Sequence, residues 1–186
     1  MNFIKRFFGH LRTVNKHRAM VRKLCFKCGL YWQGLTHDLS KYAPVEFWNG
    51  VKFYTGKGSP HIGERAVYGY SKAWLNHKGH NKHHGEYWQD IRPNGLTEPI
   101  QMPTKYFIEM ICDRVAASMV YNGADYNDSM PLNYYMSHKD ENQFDISTRL
   151  QLEDWLKGIE EEGLDNTLDR LHAMNITYKH ERKISK

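Results

Sequence analysis

The sequence predicts an all-α protein that folds as a single helical bundle. Apolar residues repeat at steps of three and four over long stretches, which is the period of an amphipathic helix. Residues that start or stop helices bound these stretches, and no convincing strand pattern interrupts them. At 186 residues with 40% hydrophobic content, the chain is long enough for one packed core. We expect one domain over residues 1–186, with its core over about 3–174 and a flexible tail at 178–186.

The first predicted helix spans Phe3 to Cys28. Its apolar stripe runs through Phe7, Leu11, Val14, His17, Val21, Leu24 and Cys28. A histidine within such a stripe is more often a hydrogen-bonded core residue than a metal ligand. The position of His17 alone therefore does not decide its role.

Further helices are predicted over about 30–39, 44–54, 71–77, 105–121, 145–162 and 165–174. Pro44 suits a first helical turn, and Ser71 and Thr104 are suitable N-cap residues. Gly123 and Gly163 are suitable stops. The Gly-rich and polar segments between these helices are predicted to be loops, over 55–70, 89–103 and 122–143, the last lying over the site.

Cys25 and Cys28 have CxxC spacing within the first helix. No second CxxC accompanies them, and both fit the buried side of the helix. We interpret them as core residues, with a redox or zinc role as the alternative. Three cysteines cannot all pair, no apolar run approaches the roughly 18 residues that span a bilayer, and the N-terminus lacks a secretory signal. We expect a soluble protein in the reducing cytoplasm.

Charge is concentrated at the start of the chain. Residues 1–30 contain eight Lys and Arg and no acid, although the net charge of the whole chain is only +5. The basic residues of segment 5–27 could attract nucleic acid, anionic lipid or a phosphorylated substrate. A solvated helix face, balanced by the acidic C-terminal segment, is the simpler interpretation and the one we favour.

Histidine and aspartate recur in an ordered series: His17, His37-Asp38, His77, His83-His84 and Asp113. Imidazole and carboxylate together suit Zn, Fe, Mn and related divalent ions. Asp113 is centred on one face of its predicted helix, where an unpaired charge would cost several kcal/mol. A metal ion is the partner we favour for Asp113, and a salt bridge is the alternative. His10 and His61 stand outside the series and are expected to be exposed.

The series resembles the H…HD…D pattern of the HD superfamily of metal-dependent phosphohydrolases, over roughly residues 14–121. The resemblance implies a helical bundle with the metal site between helices. It implies that the primary metal ligands are His17, His37, Asp38 and Asp113. It also implies a second metal held by His77 with His83 or His84, and it places Lys41 beside the substrate phosphate.

Two further resemblances concern short segments. Residues 80–88 are similar to the double histidine of the HD-GYP branch, but no GYP tripeptide follows, so cyclic-dinucleotide hydrolysis is not expected. The segments GLTHDLSK and HNKHHGEYW also resemble a small family of bacterial and phage proteins with no settled activity.

The number of candidate ligands predicts two divalent transition-metal ions (Mn, Fe, Zn, Co or Ni), about 3.5–4 Å apart and bridged by Asp38. Lys41, assisted by Arg18 or Lys82, would bind the substrate phosphate. The carboxylates near the motifs that could orient histidines or carry a proton are Glu46, Glu86 and Glu109.

The leading hypothesis is a phosphohydrolase acting on a nucleotide or another small phosphate ester. One alternative is a diiron oxygenase, since some HD proteins use this ligand set to activate O₂. Another is a non-catalytic protein that binds a nucleotide or nucleic acid through the basic first helix.

Overall fold

The computed structural model describes residues 1–139 and 144–184, and this part of the chain is mainly helical. Its helices are α1 (Phe3–Lys27), α2 (Tyr31–Thr36), α3 (Pro44–Phe53), α4 (Pro60–Tyr68), α5 (Lys72–His80), α6 (Thr104–Asn122), α7 (Met130–Ser137), α8 (Ile146–Glu162) and α9 (Leu164–Ile184). Short 3-10 turns occur at Leu39–Tyr42, Gly85–Tyr87 and Gly123–Asp125. The predicted all-α class is confirmed. None of the helices in the described ranges is long and apolar enough to cross a membrane.

Helix α1 forms where the apolar stripe predicts it. Asn2 caps its start, because the side-chain oxygen accepts a hydrogen bond of 2.9 Å from the amide of Lys5. Val14 and Leu24 on the stripe are buried. The helix ends before Gly29, whose φ of +69° is a left-handed conformation that glycine adopts without steric cost.

One hydrophobic cluster joins α1, α6, α8 and α9. Its fully buried members include Val21, Ile108, Ile111, Leu152, Leu156, Ile159 and Leu171. Helices α1 and α6 run in opposite directions within this bundle. Cys28, just after α1, lies with its sulfur 4.0 Å from that of Cys112 in α6, whereas Thr13 and Val120 line one cavity further along. This arrangement brings the middle of α1 against the middle of α6.

The cysteines are part of this core. Cys25, Cys28 and Cys112 are free thiols with no exposed surface. Hydrogen bonds with Cys25 and Cys28, together with burial, raise the pKa of the Cys112 thiol, which is opposite to what a reactive cysteine needs. No metal-capable group in the described residues contains a cysteine. The interpretation of Cys25 and Cys28 as core residues is confirmed.

Two segments predicted as loops contain regular structure. The expectation of a loop over 55–70 is wrong, because Pro60–Tyr68 forms α4. Proline is tolerated in the first turn of a helix, and Gly69, with φ +77°, ends this one. In the segment 89–103, Gln89–Ile91 (β1) pairs with Thr97–Pro99 (β2) as a small antiparallel hairpin.

The C-terminal part of the chain is also more helical than predicted. The expectation of a long loop over 122–143 is wrong where α7 forms, and residues 140–143 lie outside the described part. Helix α9 continues to Ile184 instead of ending at Met174. Asn175 and Lys179 donate hydrogen bonds of 2.8 and 3.0 Å to carbonyls at the end of α1, which stabilises the added turns.

Candidate metal centre

His17 points from the buried stripe of α1 toward α6. Its Nε2 atom lies 2.9 Å from Oδ1 of Asp113 and 3.6 Å from Oδ2 of Asp38. His17 is 7% exposed, so its ring is held within the bundle. The structure therefore places this histidine against the two aspartates of the predicted series.

His37 and Asp38 stand where the helix predicted over 30–39 breaks. Helix α2 ends at Thr36, and His37 adopts an extended ψ of 127°. Asp38 has φ +54° and is the only residue other than glycine with a left-handed backbone in the described part of the chain. This conformation costs most residues roughly 1–2 kcal/mol, although aspartate tolerates it better. The break allows both adjacent side chains to face the same point.

The first group of donor atoms joins the primary ligands that the resemblance implied. Nε2 of His37 lies 3.3 Å from Oδ2 of Asp38 and 3.4 Å from Oδ1 of Asp113. The group comprises His17, His37, Asp38 and Asp113, with one donor atom of each within 4.8 Å of the others. Three separate elements contribute to it: α1, the α2 break and α6.

A second group of donor atoms lies on the other side of Asp38. Nε2 of His77 in α5 lies 3.4 Å from Oδ1 of Asp38, and Nε2 of His83 lies 3.5 Å from the same oxygen. The group comprises Asp38, His77, His83 and His84. The two oxygens of Asp38 thus face different groups, and both adjacent histidines, His83 and His84, belong to the second.

Two buried carboxylates support the histidines from behind. Oε1 of Glu109 lies 3.0 Å from Nδ1 of His37 and 3.3 Å from Nδ1 of His83. Oε2 of Glu46 lies 2.8 Å from Nδ1 of His77. A carboxylate that accepts from Nδ1–H fixes the ring tautomer and leaves Nε2 free to bind a metal. The side chains of His37, His83 and Glu109 are also close enough together to bind a metal ion. The hydrogen bonds between Glu109 and the two rings explain this proximity without a metal.

The two aspartates of the centre are ionised. Burial alone would raise the pKa of Asp38, but the positive charges of His37, Lys41 and His77 hold it well below its usual range. Burial also opposes ionisation of Asp113, and hydrogen bonds from neighbouring histidines outweigh it and keep that pKa well below normal. Both buried carboxylates are therefore stabilised in their ionised form by neighbouring positive charge or hydrogen-bond donors.

His84 differs from the other histidines in its charge balance. Burial lowers its pKa well below 6.5, and the nearby charges of His83 and His77 lower it further. Its ring is therefore neutral at physiological pH, which is the form that binds a metal ion.

Several buried donor atoms of the centre lack a hydrogen bond of good geometry. They are Nε2 of His17, His37, His83 and His84, together with both oxygens of Asp38. Leaving one such buried atom unsatisfied costs about 1–3 kcal/mol. Imidazole nitrogen and carboxylate oxygen are ligands of divalent transition metals, and cations between these atoms would satisfy them. The residues present fit a metal site.

The predicted substrate residues are placed differently from one another. Nζ of Lys41 lies 2.9 Å from Oδ2 of Asp38, within the centre. Arg18 instead donates from Nε to the main-chain carbonyl of His37 at 2.8 Å and from Nη2 to that of Leu35 at 3.2 Å. Nζ of Lys82 lies over the rings of two tyrosines, 5.4 and 5.8 Å from their centroids. Only Lys41 is thus brought beside the metal donors.

The third candidate carboxylate, Glu86, forms no hydrogen bond or salt bridge with a histidine within residues 1–139 and 144–184. Burial lowers the pKa of Arg114, while the negative charges of Asp113 and Glu86 oppose that effect, which places Glu86 near this arginine. The sequence could not choose among Glu46, Glu86 and Glu109, and the structure brings Glu46 and Glu109 to the ligands.

Other polar partners escaped the sequence reasoning. Asn76 donates a hydrogen bond of 2.6 Å to Oε1 of Glu46, and Oγ of Ser40 lies 3.3 Å from Nδ1 of His77. The sequence gives one indication of the role of Asn76, which is that it directly precedes the candidate ligand His77. The expectation that His10 is exposed is wrong: it is 8% exposed and packs against Phe47.

Comparisons with known proteins identify the family and leave its activity open. No curated protein and no solved structure matched the chain. A family model matches residues 6–158, a range that contains every residue of the two donor groups. The chain therefore belongs to DUF5662, a family of unknown function.

Proposed function

We propose that this protein is a metal-dependent phosphohydrolase that acts on a nucleotide or another small phosphate ester through two divalent metal ions. The observation that carries the proposal is the position of Asp38, whose two carboxylate oxygens face separate groups of histidine donors. A carboxylate shared between two donor groups is suited to bridging two ions. The resemblance to HD phosphohydrolases supports the same reaction.

Bound divalent ions would polarise a phosphoryl oxygen and lower the pKa of a water molecule toward 7. The protein supplies the geometry for this chemistry. Glu109 and Glu46 hold three histidine rings in the tautomer that presents Nε2. The buried surroundings strengthen each electrostatic interaction at the centre.

Lys41 supplies a fixed positive charge for the phosphate. Burial would lower its pKa, but the charges of Asp38 and Asp113 outweigh burial and raise the pKa above its usual value. Its ammonium therefore stays protonated at physiological pH. The Lys41 side chain is 27% exposed and that of Asp113 is 18% exposed, so the centre opens to solvent beside them. A phosphate that enters here meets the ammonium and the metal donors together.

Elemental analysis combined with hydrolysis assays tests the proposal. The wild type should bind about two transition-metal ions per chain and release phosphate from p-nitrophenyl phosphate or nucleotides. Asp38→Asn should lose both metal and activity, while Asp169→Asn, an exposed site on α9, should keep both. Failure to bind metal after reconstitution with Mn, Fe or Zn would reject the proposal. Iron binding with O₂ consumption and no phosphate release would favour the oxygenase, and nucleotide binding without turnover would favour a binding protein.

A further inference from the structure

We propose that the substrate carries a second anionic group besides the phosphate that is cleaved, and that a basic cavity between α1 and the end of α6 binds it. The inference rests on the proposed hydrolase function. The cavity has a volume of about 390 Å³ and is lined by Gly9, Arg12, Thr13, Lys16, Tyr54, Gly56, Val120 and Tyr121. Nothing in the mechanism above uses these residues.

The cavity adjoins the metal centre along the two helices that hold it. Thr13 lies one helical turn before His17 on α1, and Val120 lies two turns after Asp113 on α6. Residues at these spacings share a face of a helix. Because α1 and α6 are antiparallel, Thr13 and Val120 lie on the same side of the centre. The cavity therefore lies on one side of the centre, one helical turn from His17 and two from Asp113.

Lys41, within the metal centre, is close enough to the cavity wall for its charge to act there. Burial raises the pKa of Tyr121 at the cavity wall, and the positive charge of Lys41 opposes that rise. The same lysine is in contact with Asp38 at 2.9 Å. The inference therefore places the cleaved phosphate at Lys41 and the rest of the molecule along α1 and α6, toward Tyr121.

The cavity has the chemistry of an anion site. Arg12 and Lys16 lie one turn apart on α1, and both are exposed. Neither forms a salt bridge with an acidic residue in the ranges 1–139 and 144–184. Two unpaired cations on one helix face attract a polyanion, and their side chains can donate charge-assisted hydrogen bonds.

Tyr54 is held in place at another wall of the cavity. Thr13 and Tyr54 are joined by a hydrogen bond of 3.1 Å between their hydroxyls. A side chain at position 9 would overlap the Tyr54 ring, so Gly9 allows that ring to lie directly against α1. Tyr54 and Tyr121 present aromatic surface to the cavity together with the cations. Its volume is at the lower end of the range for small-molecule sites.

These features define the substrate class as a phosphate ester or anhydride with at least one further phosphate or carboxylate. Nucleoside diphosphates and triphosphates belong to this class. A monoester that carries no anionic group besides its phosphate, such as p-nitrophenyl phosphate, would reach Lys41 and the metal centre without using Arg12 or Lys16.

Selectivity between two substrates tests the inference. The ratio of kcat/KM for adenosine triphosphate to kcat/KM for p-nitrophenyl phosphate should fall roughly tenfold or more in the double variant Arg12→Ala/Lys16→Ala. The matched control Arg22→Ala/Lys23→Ala removes two exposed charges from the same helix away from this cavity, and should keep the wild-type ratio. An unchanged ratio in the first variant, or an equal fall in both, would overturn the inference.

A binding measurement separates this inference from the proposed reaction. A methylene-bridged analogue of adenosine triphosphate should bind the metal-loaded wild type and bind Arg12→Ala/Lys16→Ala roughly tenfold more weakly or worse, by isothermal titration calorimetry. This result would support the cavity even if the wild type hydrolysed nothing, in which case only the hydrolase proposal fails. Absence of binding to the wild type, or equal binding to both proteins, would reject the cavity whatever the activity.

Discussion

Oε1 of Glu109 lies 3.0 Å from Nδ1 of His37, on the ring edge opposite the nitrogen that faces Asp38. The same oxygen also reaches Nδ1 of His83, at 3.3 Å. Burial would raise the pKa of Glu109, but its hydrogen bonds with the two histidines lower it below its usual value. One carboxylate on α6 therefore orients a ligand from each of the two donor groups.

This shared support predicts that Glu109→Ala weakens both metal sites, by about 10–100-fold each. Glu46→Ala should weaken only the group that contains His77, because Glu46 contacts no other ligand ring in the described residues. Chelator-competition titrations would measure the affinities. Glu109→Gln keeps an acceptor oxygen, so its metal affinities should lie between those of the wild type and those of Glu109→Ala. Equal effects of Glu109→Ala and Glu46→Ala on both sites would contradict the assignment.

Arg18 stabilises the backbone that presents His37 and Asp38. Its guanidinium also donates to the hydroxyl of Tyr42 at 3.1 Å, in addition to the carbonyls of Leu35 and His37. Arg18→Ala should lower the free energy of unfolding by about 2 kcal/mol, as measured by urea denaturation. Arg22→Ala, one turn further along α1, should change it by less than about 0.5 kcal/mol. If Arg18→Ala raised KM without loss of stability, its role would be substrate binding, as the sequence suggested.

The left-handed backbone of Asp38 predicts a difference between two substitutions that both remove the metal ligand. Asparagine tolerates positive φ better than alanine does. In the presence of a chelator, Asp38→Asn should therefore be more stable than Asp38→Ala, by about 1 kcal/mol. Urea unfolding monitored by tryptophan fluorescence would measure the difference. Equal stability would mean that backbone strain at this position is negligible.

The burial of His10 predicts a pH-dependent contribution to stability. Burial and, to a smaller extent, the positive charge of Lys41 lower its pKa to about 4. The unfolded chain, with a pKa near 6.5, binds the proton more readily, so His10 destabilises the fold as the pH falls from 6.5 to 4. The free energy of unfolding of the wild type should fall by about 3 kcal/mol more than that of His10→Gln over this range. Urea denaturation of both proteins at pH 7, 6, 5 and 4 would test this, and parallel curves would contradict it.

Local signals in the sequence predicted many helix boundaries correctly. Ser71 accepts a hydrogen bond of 2.9 Å from the amide of Trp74, Asp145 caps α8, and Gly123 follows α6. Helix α4 was missed because its nine residues follow a Gly-rich segment, and its burial depends on α3 and α5. The extent of α9 was missed because it depends on contacts with the end of α1.

The site shows the same division between local and distant information. The order of His and Asp residues, together with the resemblance to HD proteins, predicts the members of both donor groups. The choice of Glu109 and Glu46 over Glu86 required the packing of α6 and α3 against the histidines. The hydrogen bonds of Arg18 to the backbone could not be predicted either, because every residue has a main-chain carbonyl and the sequence does not indicate which one is bound.

The wide separation of the donors along the chain has a consequence for how the molecule is made. His37 and Glu109 stand 72 positions apart, and their hydrogen bond joins the break after α2 to α6. Bringing such distant residues together costs loop-closure entropy, and contacts of this kind slow folding. We expect metal uptake during refolding to need this long-range contact, so that it lags behind the recovery of helical circular dichroism.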